Sequence, residues 1–448
     1  MQIRTCMLYC VVVACLGFVA RSASATSTQA DDLTTLRNEI EATKLDYEKR
    51  LQALEERAQA AEKRSRESDP STTEATTSSS AYTRFAQAFN PKISAILQGR
   101  LAYLQGEKGD RNIPGFLVGD ETGRGPEGLA LGESELVFSA NVDDRFYGFF
   151  NVSFDQEEIG IEEAYLSTLS LPFGLAVKAG QFFSAIGDHN ARHSHTWDFI
   201  DSPLVYDVML DGALLDPGVQ ISWIAPTDIY IEFGGEVLRG EAFPAEGATN
   251  HGFGSATVFA KISNDLGDSH SWKTGVSYLR ADANDRDSDA GNGSAISFDG
   301  TTDLIIAEFT WKWAPLGNFR ERNFTFHAEY MYRHEDGTLR SNGAVGKYHG
   351  DQNGFYAQGV YQFMPRWRVG LRYGQLFSDN RVRGLPPTTV LDRDFSSPRR
   401  ISAMLDFSNS EFSRLRLQYS HESGGLGDDS LIFLQYIISI GSHGAHAF

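Results

Sequence analysis

From Ile93 to the C terminus, apolar and polar residues alternate with a period of two. This alternation predicts β-strands, because successive side chains of a strand point to opposite faces. The first copy has Ile93, Ala95, Leu97, Leu101 and Tyr103 on one parity and Ser94, Gln98 and Arg100 on the other. Sixteen strands are predicted, at 93–103, 134–142, 146–154, 161–169, 175–183, 219–225, 229–237, 256–262, 272–280, 304–313, 324–333, 355–364, 369–377, 401–407, 415–421 and 431–440.

The connections between these segments alternate in length. Tight turns such as Asp143-Asp144-Arg145 and Pro365-Arg366-Trp367 follow the even strands. Long polar stretches follow most odd strands, at 105–128, 184–218, 238–254, 281–303, 334–354 and 378–398. Tight turns at one end and long loops at the other are typical of outer-membrane barrels. An even number of strands also returns both chain ends to the periplasm.

Tryptophan positions provide an independent indication. Trp197 lies in a long stretch, whereas the other five lie at or beside the short-turn ends of strands: Trp223, Trp272, Trp311, Trp313 and Trp367. Indole favours the membrane–water boundary, because its ring is apolar and its N–H seeks a polar partner. A water-filled barrel in lipid also explains why the residues between the apolar ones are polar, since they would face the water inside. We therefore predict an all-β fold, a 16-stranded antiparallel transmembrane β-barrel over 89–448.

The residues before the barrel follow other patterns. An apolar run from Cys6 to Ala20 precedes Ala23-Ser24-Ala25, which predicts a Sec-type signal peptide over 1–25, cleaved near Ala25. A lipoprotein signal at Cys15 is the alternative, although the apolar run continues beyond it. Heptad-like spacing over 26–64 predicts a periplasmic helix, either a coiled coil between subunits or a single solvated helix. Residues 65–88 predict a flexible linker.

Composition excludes several classes of protein. With 40 Lys plus Arg against 59 Asp plus Glu, the net charge is -19, which argues against nucleic-acid binding. All three cysteines lie within the first fifteen residues, so the barrel has no disulfide, thiolate zinc site or cysteine nucleophile. The sequence contains no Gly-x-Ser-x-Gly, His-Glu-x-x-His or phosphate-binding glycine loop. We predict no catalytic site and no enzyme.

Three segments carry a resemblance to Gram-negative porins of sixteen strands, especially the phosphate-selective and DcaP-like groups. They are FNPKISAILQGRL at Phe89–Leu101, EEAYLSTLSLPFGLAVKAGQFFSAIG at Glu162–Gly187 and the terminal Phe448. The resemblance implies a homotrimer in the Gram-negative outer membrane, in contact with lipid and lipopolysaccharide. It also implies that the barrel-assembly machinery recognises Phe448 and that small hydrophilic or charged solutes diffuse through the lumen.

HTWDFIDSPLV at His195–Val205 and the ending GSHGAHAF resemble barrels labelled TonB-dependent or zinc-regulated receptors. This second resemblance implies an alternative function, TonB-linked or zinc uptake. Only some 65 residues separate the signal from the barrel, which leaves no room for the globular plug domain of such receptors. A structural or adhesive barrel is a third alternative.

The porin resemblance implies that the connection at 184–218 folds into the lumen and narrows it. It carries a dense group of polar and titratable residues: Asp188, His189, Arg192, His193, His195, Trp197, Asp198 and Asp201. A constriction of this kind would select solutes by size and by electric field. The alternative is an ordinary surface loop at the barrel mouth.

Inward parities of the predicted strands carry charges of both signs. The basic residues are Arg100, Arg368, Arg372, Arg400, Arg414 and Arg416, and the acidic ones are Glu133, Glu135, Glu232 and Glu236. Opposite walls of opposite sign would create a transverse field, unless the charges pair across adjacent strands. His193 and His195, with Asp188, His189 and Asp198 nearby, are a candidate Zn(II) site. No other cofactor is predicted.

Overall fold

The computed structural model describes residues 91–106, 113–119, 122–156, 158–246, 252–289, 295–385, 391, 397–424 and 428–441. Four predicted features lie outside the described residues: the signal peptide at 1–25, the helix at 26–64, the linker at 65–88 and the terminal Phe448.

The strands form one antiparallel sheet that closes into a barrel. In the described residues they are β1 Lys92–Leu104, β2 Gly128–Leu131, β3 Ser134–Asn141, β4 Phe146–Phe154, β5 Ile159–Thr168, β6 Leu175–Phe183, β7 Leu215–Ile224, β8 Tyr230–Leu238, β9 Ser255–Leu266, β10 His270–Asp289, β11 Ala295–Trp313, β12 Asn323–Ser341, β13 Ala344–Met364, β14 Trp367–Arg383, β15 Arg399–Ser410, β16 Ser413–Ser423 and β17 Asp429–Gly441. Neighbours in sequence pair with each other, and β1 closes the barrel by pairing with β17 on one side. On its other side β1 pairs with both β2 and β3, which are two parts of one barrel strand. The prediction of a sixteen-stranded antiparallel barrel is therefore confirmed.

Successive side chains of each strand point alternately to an apolar outer face and to the barrel interior. On β1 the exposed apolar residues are Ile93, Leu97, Leu101 and Tyr103, while Gln98 between them is only 3% exposed. This is the reverse of a soluble sheet, in which the apolar parity is the buried one. Each of the sixteen predicted segments overlaps one of the strands, with ends that differ by a few residues except in β10 to β14, which are longer than predicted.

Strand length differs around the barrel. β3 to β6 contain eight to ten residues, whereas β10 to β14 contain 17 to 21. About 9–11 tilted residues cross the hydrocarbon, so β10 to β14 extend well beyond it. The predicted loops at 281–303 and 334–354, and the first part of 378–398, are therefore wrong, because much of each is strand. Beyond the hydrocarbon, a hydrogen-bonded strand does not need an apolar residue at every second position. The alternation by which the strands were predicted therefore stops where the strands leave the membrane.

Helices are short and lie in the connections. The described residues contain one α-helix, α1 (Leu204–Leu210), and 3-10 turns at Pro172–Gly174, Ser194–Thr196 and Pro315–Gly317. None of the helices in these ranges is long and apolar enough to cross a bilayer.

Part of the interior is apolar, which differs from the predicted polar lumen. Val205 and Met209 of α1 are fully buried in an apolar cluster that includes Leu304, Met331 and Leu376 of the strands. These inward-facing residues belong to β11, β12 and β14. The helix therefore fills the barrel on its long-strand side, where packing replaces water.

Candidate functional site: the luminal loop

The connection between β6 and β7, residues 184–214 (the luminal loop), folds into the barrel. Its two ends are held together by Asn190, which is fully buried. The Asn190 amide donates to the carbonyls of Ser184 (2.8 Å) and Leu214 (3.0 Å) and accepts from the Leu214 N–H (2.7 Å). Glu236 on β8 accepts from the Ser184 hydroxyl and from the Ala185 N–H (2.8 Å). The predicted inward residue Glu236 thus anchors the root of the loop.

The loop next contacts the long strands. Asp188 forms ion pairs with Lys273 of β10 and Arg192 of the loop itself. The His189 N–H donates to Glu329 of β12 (3.0 Å). These contacts fix the first part of the loop inside the lumen, which is the placement predicted for 184–218.

The second part of the loop is bound to a basic wall on β14 to β16. Arg368 pairs with Asp198 (2.9 Å), and Arg400 pairs with Asp201 (3.0 Å) and with Asp207 of α1 (3.2 Å). Each of these carboxylates lies beside a guanidinium, the geometry in which a partly buried ion pair retains its attraction.

Backbone carbonyls of the loop reinforce this attachment. Arg414 donates to the carbonyl of His195, and Arg416 donates to that of Trp197 (2.8 Å). Arg416 also pairs with Asp406 of β15 (2.7 Å). The predicted basic residues of these strands therefore lie on the inner wall. They contact the luminal loop directly or pair with a carboxylate of the neighbouring strand.

An acidic wall lies on β3 to β5. Glu135 of β3 is 1% exposed, and its Oε1 lies 2.5 Å from Nδ1 of the His195 ring. The His193 ring bridges two glutamates of β5, with Nδ1 3.1 Å from Glu162 and Nε2 3.0 Å from Glu163. His193 Nδ1 also lies 3.5 Å from Glu135, so the two histidines share this carboxylate, and their ring centroids are 5.7 Å apart.

A β-bulge explains how consecutive glutamates reach the same loop. Asn151 of β4 pairs with Glu163, but the next residue, Val152, pairs with Ile161. Glu162 is the extra residue of the bulge, so both carboxylates face the lumen. Strict alternation allows only one of the two to face inward, so the sequence pattern could not predict that both line the lumen. The adjacent Glu-Glu pair within a predicted strand was the available signal.

Three predicted wall residues lie away from these ion pairs. Arg100 of β1 lines an internal cavity near the carbonyl of Pro126 (3.4 Å). Glu133 was predicted on a strand, but it lies in the break between β2 and β3, where its carbonyl accepts from the Gln98 side chain of β1 (2.5 Å). Glu232 of β8 accepts from the Tyr230 hydroxyl (2.7 Å) in an exposed position.

Two loop carboxylates have opposite pKa shifts. For Asp201, burial alone would raise the pKa, but Arg372 and Arg400 outweigh it and hold the pKa below its usual value. For Asp207, burial dominates the attraction of Arg400 and, with repulsion from Asp201, raises the pKa to about 6. The docked loop therefore contains one carboxylate that holds its charge firmly and one that gains a proton in mildly acidic solution.

Two cavities lie on opposite sides of the loop. The turn-side cavity, about 960 Å³, is lined by Phe319, Arg368 and Phe412 and by His193 and His195. The loop-side cavity, about 790 Å³, is lined by Arg100, Glu133, Arg400 and Trp197. Arg192 lines both. The segment around Arg192–Trp197 therefore separates two partly polar cavities.

Comparison with solved structures relates the fold to outer-membrane proteins. The structure of OmpTdeltaL8, a loop L8 deletion mutant of an outer membrane protein of Vibrio cholerae, matches with a TM-score of 0.50 and 12% identity, over 79% of this chain and all of that one. The outer membrane channel DcaP of Acinetobacter baumannii gives a TM-score of 0.48 and 13% identity, over 79% of this chain and 98% of that one. At these identities the likeness concerns the fold.

No protein-family model matches the chain. An uncharacterised protein of Aquifex aeolicus (strain VF5) is 32% identical over 394 residues, which are 81% of this chain and 81% of that protein. The fold is a sixteen-stranded antiparallel barrel like that of the Vibrio cholerae protein, and the chain belongs to the same family as the Aquifex aeolicus protein.

Proposed function

We propose that this chain is a non-enzymatic outer-membrane channel through which small hydrophilic or charged solutes diffuse, narrowed by the luminal loop. The observation that carries the proposal is the pair of cavities that are both lined by Arg192. A solute moving between them would pass beside the segment 192–197. Charged groups that line such a narrow passage select solutes by sign and size.

The charges around this passage are partly compensated. Asp198 and Asp201 neutralise Arg368 and Arg372, so the wall of β14 to β16 is less basic than its arginines alone would make it. The loop supplies the opposing carboxylates, and a field from wall to wall is correspondingly weakened. Selectivity then depends on the charges that form no ion pair with the loop in the described part of the chain, of which Arg100 is the candidate on β1, although Asp201 is near enough to attract it.

Conductance of the purified full chain in planar lipid bilayers tests this function. A water-filled passage predicts discrete, reproducible current steps in concentrated salt. Membranes that stay silent although the inserted barrel is folded would contradict a diffusion channel.

We also propose a homotrimer embedded in outer-membrane lipid and lipopolysaccharide. The short-strand side of the barrel offers an apolar groove of about 530 Å³ on β3 to β6, lined by residues such as Phe138, Gly148 and Leu166. Burial of an apolar groove between subunits is more specific than its contact with lipid chains, because complementary surfaces pack closely. Current steps in groups of three, together with a trimer mass in detergent, would support this assembly, and a monomer mass with single steps would oppose it.

A gated, receptor-like barrel is the second candidate. The observation in its favour is the apolar cluster around α1, which packs the long-strand side of the lumen, together with the many contacts that hold the loop. Such a barrel would conduct only after a ligand or an energising partner moves the loop. Silent membranes that become conductive when the loop contacts are removed would favour this candidate over the diffusion channel.

A further inference from the structure

The acidic wall of β3 to β5 contains more carboxylates than cationic partners. Glu135, Glu162 and Glu163 surround the His193 ring, and none has a side chain more than 8% exposed. In the part of the chain that the structure describes, their ion-pair partners are His193 and His195, with no lysine or arginine within ion-pair distance. Buried carboxylates in contact need protons or a cation to neutralise them.

The ligand atoms of this cluster are spaced as a single ion requires. One oxygen each of Glu135 and Glu162 and one ring nitrogen of His193 lie within 4.8 Å of one another. The Nδ1 atom of His193 is 3.1 Å from Glu162 and 3.5 Å from Glu135. A tetrahedral site with bonds of roughly 2.1 Å has ligand atoms about 3.4 Å apart. The two distances from His193 Nδ1 are therefore close to the edge of such a tetrahedron, and the two carboxylate oxygens lie within 4.8 Å of each other.

Asn151 is a second, independent indication. Its side chain is fully buried, and its Nδ2 donates to both Glu135 (2.9 Å) and Glu162. Its Oδ1 is buried and has no hydrogen-bond partner within the described ranges. Rotation of the amide by half a turn exchanges nitrogen and oxygen. That rotation would point Oδ1 at two carboxylates, which is favourable only with a cation between them.

Access to the cluster is provided by the two cavities. His193 and His195 line the turn-side cavity, and Glu162 lines the loop-side cavity. A hydrated ion can therefore reach the ligands without unfolding the barrel.

We propose that Glu135, Glu162 and His193 bind one divalent transition-metal ion, which ties the luminal loop to the barrel wall at the passage between the cavities. A mixed imidazole and carboxylate set suits Zn²⁺ and its first-row neighbours rather than Ca²⁺ or Mg²⁺, which prefer oxygen ligands alone. Asn151 is available as a further oxygen ligand, and Glu163, 3.0 Å from Nε2, can accept the Nε2 proton and orient the His193 ring. The binding site rests on these contacts, and only its effect on solute flow rests on the proposed function.

Calorimetric titration of the folded full chain with Zn²⁺ tests the site. Glu162→Gln and His193→Gln should weaken binding of one ion per chain by roughly tenfold or more. A second cluster, His334, His349 and Asp351, lies on the outer surface of β12 and β13 and could also take up metal. His334→Ala is therefore the matched control, and it should leave the luminal ion bound as before. Luminal variants that bind Zn²⁺ like the unaltered chain would overturn the proposal.

Cobalt spectroscopy keeps the test independent of variant folding. Co²⁺ added to the unaltered chain should give visible absorption bands of a four- or five-coordinate ion, and added Zn²⁺ should abolish them. A spectrum identical to that of Co²⁺ in buffer would also overturn the proposal. A chain that conducts but takes up no metal would refute the site alone, whereas a chain that binds metal but never conducts would refute the channel alone.

Discussion

Arg372 and Asp201 join the barrel wall to the luminal loop through two contacts. The Arg372 guanidinium donates to the backbone carbonyl of Asp201 (2.8 Å) and to its carboxylate (2.5 Å). The same guanidinium lies over the Phe199 ring, 4.6 Å from its centroid. The two residues are 171 positions apart in sequence, so their contact depends on closure of the barrel and not on local pattern.

Replacing Arg372 and Arg416 by Gln should shift ion selectivity towards cations. Both changes remove one of two guanidinium groups beside a carboxylate, since Arg372 pairs with Asp201 and Arg416 with Asp406. Arg400 remains on Asp201 and Arg368 on Asp406, so the net charge of the wall becomes more negative while each carboxylate keeps one partner. We expect the cation-to-anion permeability ratio to rise roughly twofold, read from reversal potentials in a salt gradient. Arg381→Gln is the control, because Arg381 lies exposed on β14 in its extension beyond the predicted membrane segment. Reversal potentials that do not change would remove the two arginines from the conduction path.

The raised pKa of Asp207 predicts that docking of the luminal loop depends on pH. A carboxyl with a pKa of about 6 in the docked loop and about 3.9 when undocked binds its proton more tightly in the docked state. Its contribution to docking is complete below about pH 4 and is lost as the pH rises through about 6. Asp201 behaves oppositely, because its lowered pKa keeps its contribution until the solution is strongly acidic.

Single-channel current noise should therefore increase as the pH rises from about 4 to about 6. Asp207→Asn should remove this change while the ion pairs of Asp201 remain. Asp336→Asn, an exposed carboxyl on β12, is the control and should retain it. If the step near pH 6 persists in Asp207→Asn, another group is responsible.

Because Arg192 lines both cavities, we expect thiol reagents to reach a cysteine at position 192 from either side of the membrane. No cysteine follows Cys15, so Arg192→Cys provides a single thiol in the barrel. Because Arg192 lines both cavities, a charged thiol reagent added to either side should lower the conductance. Val345→Cys, 57% exposed at the start of β13, should react without a change in current. Reaction of the luminal thiol from one side only would show that the two cavities do not communicate.

The strands were predictable from sequence because lipid requires an apolar outer face at every second residue. That requirement also fixed which arginines of β14 to β16 point inward, as for Arg372. It gave no information beyond the hydrocarbon, so the strand extension through Asp287 and Ser297 was assigned to a loop. The bulge at Glu162 was missed because one inserted residue breaks the alternation on which the assignment depended.

The base of the luminal loop predicts a local change in stability. Asn190→Ala removes three hydrogen bonds and leaves the carbonyls of Ser184 and Leu214 buried without that donor. We expect the free energy of loop docking to fall by about 3 kcal/mol, while the hydrogen-bonded strands keep the barrel closed. Faster proteolysis within 184–214 and noisier single-channel currents, at an unchanged β-sheet circular dichroism spectrum, would show this. Asn264→Ala, in an exposed position on β9, is the matched control and should resist proteolysis as the unaltered chain does. Equal proteolysis of both variants would mean that the contacts with the basic wall hold the loop without Asn190.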